Sequence, residues 1–496
     1  MKPNRLARIG LLLLTVAIAF AGAVASVQAQ NKQPNVVIML ADNMGFGDLG
    51  SYGSGGEMRG MPTPRLDRLA SEGLRLTQFL VEPGCTPSRA GLLLGRYSPR
   101  AGLGSIINAG SPSTLQGSEV TLAELFKSKG YATAIVGKWH LGGEKQSLPT
   151  YQGFDEYHVG ILETTDGTLY AENMKRLHMP QAAIDAAQPW IWESQPGTKD
   201  LRKVQPYDLA YRAKIEGDIA ASSVDYIKKQ TAAKQPFFLY VGWSHVHYPP
   251  LPSPEFQGKS RIGDYGDVVM ELDHRSGQVL DALKEAGVED NTIVIWLSDN
   301  GPVRLGASGE SFMGGSAGPF RGEVGDALEG SLRVPGMIKW PGHIKPRVSN
   351  EMVSIHDFFP TLANIIGAKM PKDRPIDGQD QTAFFTGLTD KSARESLITF
   401  IGDEIVAVRW RNYRIYPKEF VPSAGNPSKA GVASYRMELA MGPALFDIER
   451  DPREEWNLIG VRAWVLREYM KVVGQYQESL KKYPNPPAIS MTEFKR

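Results

Sequence analysis

Cysteine is nearly absent from this chain: Cys85 is the only one among 496 residues. A single thiol has no partner for an internal disulfide, so the fold is not built on a disulfide framework. Long basic or acidic runs are also missing, and the formal net charge is +1. The composition therefore indicates neither nucleic acid nor an anionic membrane surface as a partner. Low-complexity segments and obvious repeats are absent too, while 52 glycines and 34 prolines are typical of long loops over an ordered scaffold.

Only one apolar stretch approaches the length of a membrane span, at residues 9–24. Basic residues precede it and the small-residue segment 27–29 follows, a pattern typical of a cleavable secretory signal peptide. A membrane anchor is the alternative, since about 16 to 20 apolar residues nearly span a bilayer. Because the small residues lie where signal peptidase requires them, we predict a signal peptide at residues 1–29. We expect a periplasmic or secreted protein with no stable membrane partner, and the lack of structural disulfides fits a bacterial periplasm.

Four apolar stretches rich in β-branched residues predict strands buried on both faces of a parallel sheet: 35–41, 131–137, 236–243 and 291–298. Each one ends in residues capable of chemistry: Asp42-Asn43, Lys138 with His140, His245 with His247, and Asp299-Asn300. A turn or a solvated loop end explains any single pair. In open α/β sheets, however, ligands bind at the carboxyl ends of the strands. Four such ends in one chain therefore predict a shared functional site.

The spacing of apolar residues predicts helices between these strands: 63–73 with Thr63 as cap, 121–129, and 264–287. The expected fold class is α/β, with a large mixed, mostly parallel sheet flanked by helices. The chain is longer than one ordinary core requires, so we assign residues 34–390 to a catalytic domain. Short strand-like runs and a helix at 461–481 then predict a smaller α+β domain over 393–496, with an antiparallel sheet. Its strands are predicted at 396–401, 405–409, 413–416 and 445–448.

The segment around Cys85 has the features of an anion site. Thr86 or Pro87 is suited to open a helix that continues through residues 90–94, which places Cys85 just before a helix N-terminus. Arg89, one turn into that helix, adds a fixed cation with planar paired donors for oxyanions. A buried, inert thiol is the alternative interpretation of Cys85 alone.

Cys85-Thr86-Pro87-Ser88-Arg89, continued by Ala90-Gly91 and Gly95-Arg96, resembles the signature of the sulfatase family. These are formylglycine-dependent, arylsulfatase-like enzymes of the alkaline phosphatase superfamily. Further blocks resemble that family in its order: 39–50, 63–70, 137–142, 298–301, 329–342 and 445–458. The resemblance covers most of the chain after residue 34. It implies an alkaline phosphatase-like fold and hydrolysis of aryl or carbohydrate sulfate esters.

The resemblance also implies the catalytic residues. Cys85 is expected to be converted to formylglycine by a transient maturation enzyme before folding, and the aldehyde hydrate to attack sulfur. Arg89, Lys138 and His140 are expected to hold and neutralise the sulfate oxygens, with His140 as the base that later releases sulfate. His247 is expected to contact the substrate and to protonate the leaving group, with His245 as the alternative. By a weaker analogy Thr164, or its neighbour Thr165, reaches the sulfate.

One calcium ion is implied as well. Its ligands are expected to be oxygen atoms, which suit a hard divalent cation, and the residues are Asp42, Asn43, Cys85, Asp299 and Asn300.

Two positions depart from the family pattern. Asn43 stands where the family usually has aspartate, and Val324 stands where it usually has a sulfate-binding lysine. Because one anion and one cation are lost together, we hypothesise that the two changes compensate each other. Arg321 and Arg304 are the candidates to replace the missing lysine.

Two other functions remain open from the sequence. A phosphodiesterase or phosphonate hydrolase of the same superfamily could use the same scaffold and the same formylglycine. A catalytically silent relative that binds sulfated glycans is favoured by Asn43 and Val324. The intact 85–89 signature, together with His140 and His247, opposes that second alternative.

Overall fold

A large β-sheet carries the residues singled out above. The computed structural model describes residues 33–53, 55–108, 111, 113–303, 314–417 and 443–487. The predicted signal peptide and Arg304 lie outside these ranges. Within them, no helix is both long and apolar enough to cross a membrane.

The large sheet has eleven strands within the described part of the chain. They are β1 Asn35–Ala41, β2 Leu74–Leu80, β3 Ala132–Lys138, β4 Glu156–Ile161, β5 Trp190–Ser194, β6 Leu201–Pro206, β7 Phe237–Gly242, β8 Thr292–Ser298, β9 Arg333–Lys339, β10 Arg347–Ser349 and β11 Val353–Ser354. Their order is β10-β2-β9-β8-β1-β7-β3-β4-β5-β6, with β11 also paired to β2. The central run β8-β1-β7-β3-β4 is parallel, whereas β9, β5 and β6 pair antiparallel with their neighbours. This confirms the predicted mixed, mostly parallel sheet.

Strand β1 explains why the sheet is covered on both sides. All seven of its residues are buried. Val36, Ile38 and Leu40 point into one hydrophobic core, and Val37 and Met39 point into the other. A strand alternates its side chains between faces, so a continuous apolar run needs a packing layer on each face.

Helices supply those layers. They are α1 Pro64–Glu72, α2 Cys85–Leu94, α3 Leu122–Ser128, α4 Tyr170–Arg176, α5 Gln181–Ala187, α6 Leu209–Arg212, α7 Ile215–Ala232, α8 Asp264–Glu285, α9 Glu329–Leu332, α10 Phe358–Ile365, α11 Thr382–Phe385, α12 Ile459–Arg462 and α13 Leu466–Lys482. Buried residues of α2, α3 and α10 pack in the core on the face of the sheet that carries Val36. Buried residues of α1, α7 and α8 pack in the core on the opposite face, which carries Val37.

The N-termini of α3 and α1 are satisfied in different ways. Thr121 accepts a hydrogen bond from Glu124 N, and Glu124 returns one to Thr121 N, so α3 begins with a capping box. Thr63 is the N-cap residue of α1 and Pro64 opens the helix, as predicted, but the Thr63 side chain makes no capping hydrogen bond. Thr63 Oγ1 instead accepts from Gly50 N at 3.0 Å. The first amides of α1 donate to the carboxylate of Asp273 on α8, so a residue distant in sequence satisfies this helix end.

A separate antiparallel sheet follows, formed by β12 Ser396–Ile401, β13 Glu404–Trp410, β14 Tyr413–Tyr416 and β15 Ala444–Asp447. This small C-terminal sheet confirms the predicted strands to within one or two residues. The predicted single helix at 461–481 is divided: α12 is followed by a 3-10 turn, Ala463–Val465, and then by α13. In that turn, the ring of Trp464 packs edge-on against Trp410 and Tyr413.

Candidate active site

The carboxyl ends of the central strands meet at one edge of the sheet, as predicted. Strands β1 and β8 pair with Ala41 opposite Ser298, so Asp42 and Asp299 follow at neighbouring positions. Strands β3 and β7 pair with Gly137 opposite Gly242. Gly137 has a φ of 94°, and a Cβ there would collide with the Gly242 carbonyl oxygen. The strand can therefore deliver Lys138 to this edge only with glycine before it.

Oxygen-bearing side chains converge on Cys85 at this edge. Cys85 Sγ lies 3.3 Å from Asp42 Oδ1 and 3.7 Å from Asn43 Oδ1. Asn300 Nδ2 donates to Asn43 Oδ1 at 2.6 Å, while the buried Asn300 Oδ1 has no hydrogen-bond partner in the described part of the chain. Together with Asp299, these residues offer two carboxylates and two amides. Carboxylate and amide oxygens are the ligands that a hard divalent cation such as calcium prefers. The site therefore fits such a cation, and Asn300 Oδ1 is available to bind it.

Two buried cations face the two carboxylates. Lys138 Nζ lies 2.6 Å from Asp42 Oδ2, and Arg89 contacts Asp299 Oδ2 through Nε at 3.1 Å and Nη2 at 2.9 Å. Arg89 Nη1 also donates to Lys138 O at 2.8 Å and Tyr240 Oη at 3.4 Å, so four of its five N–H groups have partners. Arg89 thus orients Asp299 and adds positive charge. Among the described residues, Lys138 Nζ donates to Asp42 alone, which leaves two of its three N–H groups for other acceptors.

The two carboxylates affect each other's protonation. Burial raises the pKa of Asp42, but the positive charges of Lys138, His247 and Arg89 outweigh burial and hold that pKa below its usual value. For Asp299, burial and the charge of Asp42 raise the pKa above its ordinary range despite Arg89. Two buried carboxylates that repel each other in this way gain from a cation placed between them.

Helix α2 begins at Cys85 itself, with Gly84 at the N-cap, one residue before Thr86 and two before Pro87, the two predicted starts. The thiol is buried, and burial together with the charge of Asp42 raises its pKa well above the ordinary value. It therefore stays protonated at neutral pH, a poor nucleophile and a poor ligand for a hard cation. Thr86 Oγ1 fixes the start of the helix by donating to His140 O at 3.1 Å.

The hydrogen bonds of His140 define its tautomer. His140 Nε2 lies 2.7 Å from Ile107 O, and a carbonyl only accepts, so Nε2 carries the hydrogen. Nδ1 is then an unprotonated acceptor, and it is buried with no partner among the described residues. Burial and the charge of Lys138 lower the pKa of His140 well below its usual value. This imidazole is a neutral base.

His247 faces the same cluster. One of its ring nitrogens, a carboxylate oxygen of Asp42 and Cys85 Sγ all lie within 4.8 Å of one another. His247 Nδ1 lies 2.7 Å from Tyr248 O and must carry a hydrogen. Burial lowers the pKa of His247, although the charge of Asp42 opposes that shift.

His245, the alternative to His247, lies in a different environment. Its ring is buried between Glu271, 3.3 Å from Nε2, and Glu216, 3.7 Å from Nδ1. Thr164 is buried and donates to the carboxylate of Asp166, whose negative charge acts on His247. Thr164 is thus connected to His247 only through the charge of Asp166, whereas His245 lies apart from the site between two carboxylates.

The loop around Val324 contacts two segments that carry site residues. Val324 N donates to Pro302 O at 3.0 Å, and Gly325 N donates to Pro83 O at 2.7 Å, so the loop contacts the segments that carry Asn300 and Cys85. Arg321 Nη2 donates to Glu454 O at 3.0 Å, in the segment that follows β15. Arg321 thus makes a structural contact through one of its five N–H groups, while its buried Nε has no hydrogen-bond partner among the described residues.

Two residues near the site carry no signal in the sequence. Tyr240 lies within an apolar strand, and its hydroxyl reaches Arg89 only because β7 is central in the sheet. Glu216 lies on α7 and accepts hydrogen bonds from the turn before His247. Neither position differs locally from an ordinary strand or helix residue, so only tertiary contacts identify them.

The site combines a helix N-terminus, two buried cations and a cluster of carboxylate and amide oxygens at the carboxyl edge of a parallel sheet. This arrangement defines a hydrolase of anionic esters. The family model described as Sulfatase matches residues 34–368. The chain therefore belongs to the sulfatase family, whose members hydrolyse sulfuric esters.

Similar proteins agree with this assignment. The chain is 35% identical to mouse steryl-sulfatase, over 85% of this chain and 78% of that protein. It is 33% identical to human arylsulfatase A, over 92% of this chain and 89% of that protein. The crystal structure of the PsFucS1 sulfatase from Pseudoalteromonas sp. superimposes with a TM-score of 0.85 and 29% identity, covering 98% of this chain and 96% of the other.

Proposed function

We propose that this sulfatase hydrolyses aryl or carbohydrate sulfate monoesters through formylglycine made from Cys85, with one bound calcium ion. The observation that carries the proposal is the position of Cys85. It begins a helix and lies 3.3 Å from Asp42, beside the oxygen cluster and the two buried cations. Similarity to steryl-sulfatase and arylsulfatase A supports the sulfate ester as substrate.

Four side chains would hold the calcium ion: Asp42, Asn43, Asp299 and Asn300. Bound there, calcium would polarise a sulfate oxygen and neutralise negative charge. The free acceptor on Asn300 and the mutual repulsion of the two carboxylates support this ligand set. Once Cys85 is modified, its new oxygen would complete the oxygen-only environment.

The aldehyde explains why a cysteine occupies this position. Its hydrate supplies a hydroxyl group that attacks sulfur, and loss of the second hydroxyl proton then expels sulfate and restores the aldehyde. His140 Nδ1 would take that proton, because it is an unprotonated acceptor without a partner among the described residues. The low pKa of His140 keeps this nitrogen available at neutral pH.

His247 would protonate the leaving alcohol or phenol. Its Nδ1–H is engaged by Tyr248 O, so Nε2 carries the transferred proton. The charge of Asp42 and the arriving sulfate both favour the imidazolium form that this step needs. Lys138, with two donors left, would bind the sulfate oxygens. Arg89 would act chiefly by its charge, and Thr164 through its contact with Asp166.

Burial of Cys85 determines when it can be modified. Only 2% of its surface is exposed, so a maturation enzyme must reach it before the chain folds. Modification before folding fits the export that the predicted signal peptide at residues 1–29 implies. The proposed setting is periplasmic or secreted, with the maturation enzyme as a transient partner.

The test compares substrates on protein produced with a formylglycine-generating enzyme. We expect turnover of 4-nitrophenyl sulfate far above that of bis(4-nitrophenyl) phosphate and of a phosphonate ester. Cys85→Ala should abolish sulfate turnover, while Cys85→Ser serves as the matched control that keeps a hydroxyl, with the mass of its peptide reporting that the alcohol is unoxidised. Higher rates on the phosphorus esters would transfer the assignment to the phosphodiesterase alternative, and binding of sulfated glycan without turnover would transfer it to the silent binder.

A further inference from the structure

A buried ion pair lies behind the turn that carries His247. Arg212 ends helix α6 and Glu216 stands in the first turn of α7. Their charged groups are 3.7 Å apart, and the side chains are 0% and 1% exposed. Two charges withdrawn from water in this way cost stability unless hydrogen bonds compensate them.

The hydrogen bonds of this pair are concentrated on one short turn, residues 244–247. Glu216 Oε1 accepts from Ser244 N at 3.0 Å, from His245 N at 2.9 Å and from the Ser244 hydroxyl. Arg212 Nη1 donates to Ser244 Oγ at 3.0 Å, and Nη2 donates to Ser244 O at 3.3 Å and His247 O at 3.1 Å. Each member of the pair thus makes three directional bonds to the turn.

The same turn is tied to the active site on its other side. Val246 N donates to Asp42 O at 2.7 Å, and Asp42 N donates to His245 O at 2.9 Å. The turn closes through a bond from His247 N to Ser244 O at 3.2 Å. The position of the His247 imidazole relative to Asp42 and Cys85 therefore depends on where this turn is held.

Neighbouring contacts support a positioning role. The ring of His245 lies between Glu216 and Glu271, and Glu271 also accepts from Ser253 N at 2.9 Å and from Arg275 Nη2 at 3.2 Å. Contacts from both α7 and α8 therefore hold this turn in place. An apolar pair of similar volume would fill the same space without fixing the direction of the His247 carbonyl.

We propose that Arg212 and Glu216 are positioning residues for His247, setting its imidazole for proton transfer to the leaving group. This inference rests on the proposed role of His247 as the acid. Loss of the pair should therefore harm the substrates that need protonation most, and spare those whose leaving group departs unaided.

The experiment measures kcat/KM of Arg212→Lys and Glu216→Gln on phenyl sulfate, a poor leaving group, and 4-nitrophenyl sulfate, a good one. Lysine keeps the positive charge but lacks the planar guanidinium, whose separate N–H groups donate to Ser244 and His247 at the same time. We expect the loss on phenyl sulfate to exceed the loss on 4-nitrophenyl sulfate by about 10-fold or more. Adding Arg212→Lys to His247→Ala should lower the rate no further than His247→Ala alone.

Arg100→Lys is the matched control, because Arg100 is a buried arginine that pairs with Asp377 at 2.8 Å outside the residues assigned to the site. It should affect both substrates equally, and thermal melting reports folding of every variant. If His247→Ala is selective for phenyl sulfate but Arg212→Lys and Glu216→Gln are not, only the positioning proposal fails. If His247→Ala itself affects both substrates equally, the acid role of His247 is wrong and the positioning proposal fails with it.

Discussion

Asn43 and Val324 offer the sharpest test of the electrostatics of this site. Asn43→Asp places a third carboxylate beside Asp42 and Asp299, in a position whose Oδ1 is already 2.6 Å from Asn300 Nδ2. Two like charges about 4 Å apart interact by about 4 kcal/mol at an effective dielectric near 20. Even a third of that energy corresponds to about 10-fold in rate. Val324→Lys alone adds a cation to the loop that contacts the segments carrying Asn300 and Cys85, and we expect a loss of the same order.

The double substitution restores both charges at once. We therefore expect Asn43→Asp and Val324→Lys each to lower kcat/KM on 4-nitrophenyl sulfate, and the double variant to lose less than either single variant. Val324→Met is the matched control, with a long side chain and no charge. Saturating calcium and a melting curve for each variant exclude loss of metal or of fold. Simple addition of the two single effects would refute compensation between these positions.

Two further predictions concern the buried charges and the metal. Burial raises the pKa of Glu329, but Arg409, Arg414 and Arg333 outweigh burial and bring it to about 2. The ionised carboxylate stabilises the fold fully above its unfolded pKa of about 4.3, and this contribution is lost as the pH falls toward 2. Glu329→Gln should therefore lower the free energy of unfolding by about 3 kcal/mol at pH 7 and by less at pH 3.5, as measured by urea unfolding. A loss of unfolding free energy that is equal at both pH values would contradict a stabilising role of the ionised carboxylate. Calcium at about 100 times its Kd should raise the melting temperature by about 2–4 °C, and Asp299→Asn should abolish that shift; an unchanged shift would exclude Asp299 as a ligand.

The core of the fold follows from local sequence. The apolar run at 35–41 required packing on both faces, and the structure buries all seven residues of β1 between two helical layers. The convergence of Asp42 and Asp299 follows from the parallel pairing of β1 and β8, which the run at 291–298 already indicated. Helix α3 lies within its predicted range, 121–129, and Thr121 caps it through a partner, Glu124, that is only three residues away.

What the sequence leaves undetermined depends on distant partners. The amides of α1 are capped by Asp273, more than 200 residues further along the chain, so no local pattern reveals that Thr63 is engaged elsewhere. Arg89 was expected to bind sulfate directly, yet most of its donors contact Asp299, Lys138 and Tyr240. Such contacts follow from the arrangement of the strands and not from spacing along the chain.

Peptide mass spectrometry across Cys85 tests the proposed chemistry most directly, on protein produced together with a formylglycine-generating enzyme. We expect a peptide lighter by the thiol-to-aldehyde difference. In Cys85→Ala, this aldehyde peptide and sulfate turnover should disappear together. An unmodified thiol at Cys85, despite a competent maturation enzyme, would contradict the formylglycine mechanism and favour a silent binder of sulfated glycans.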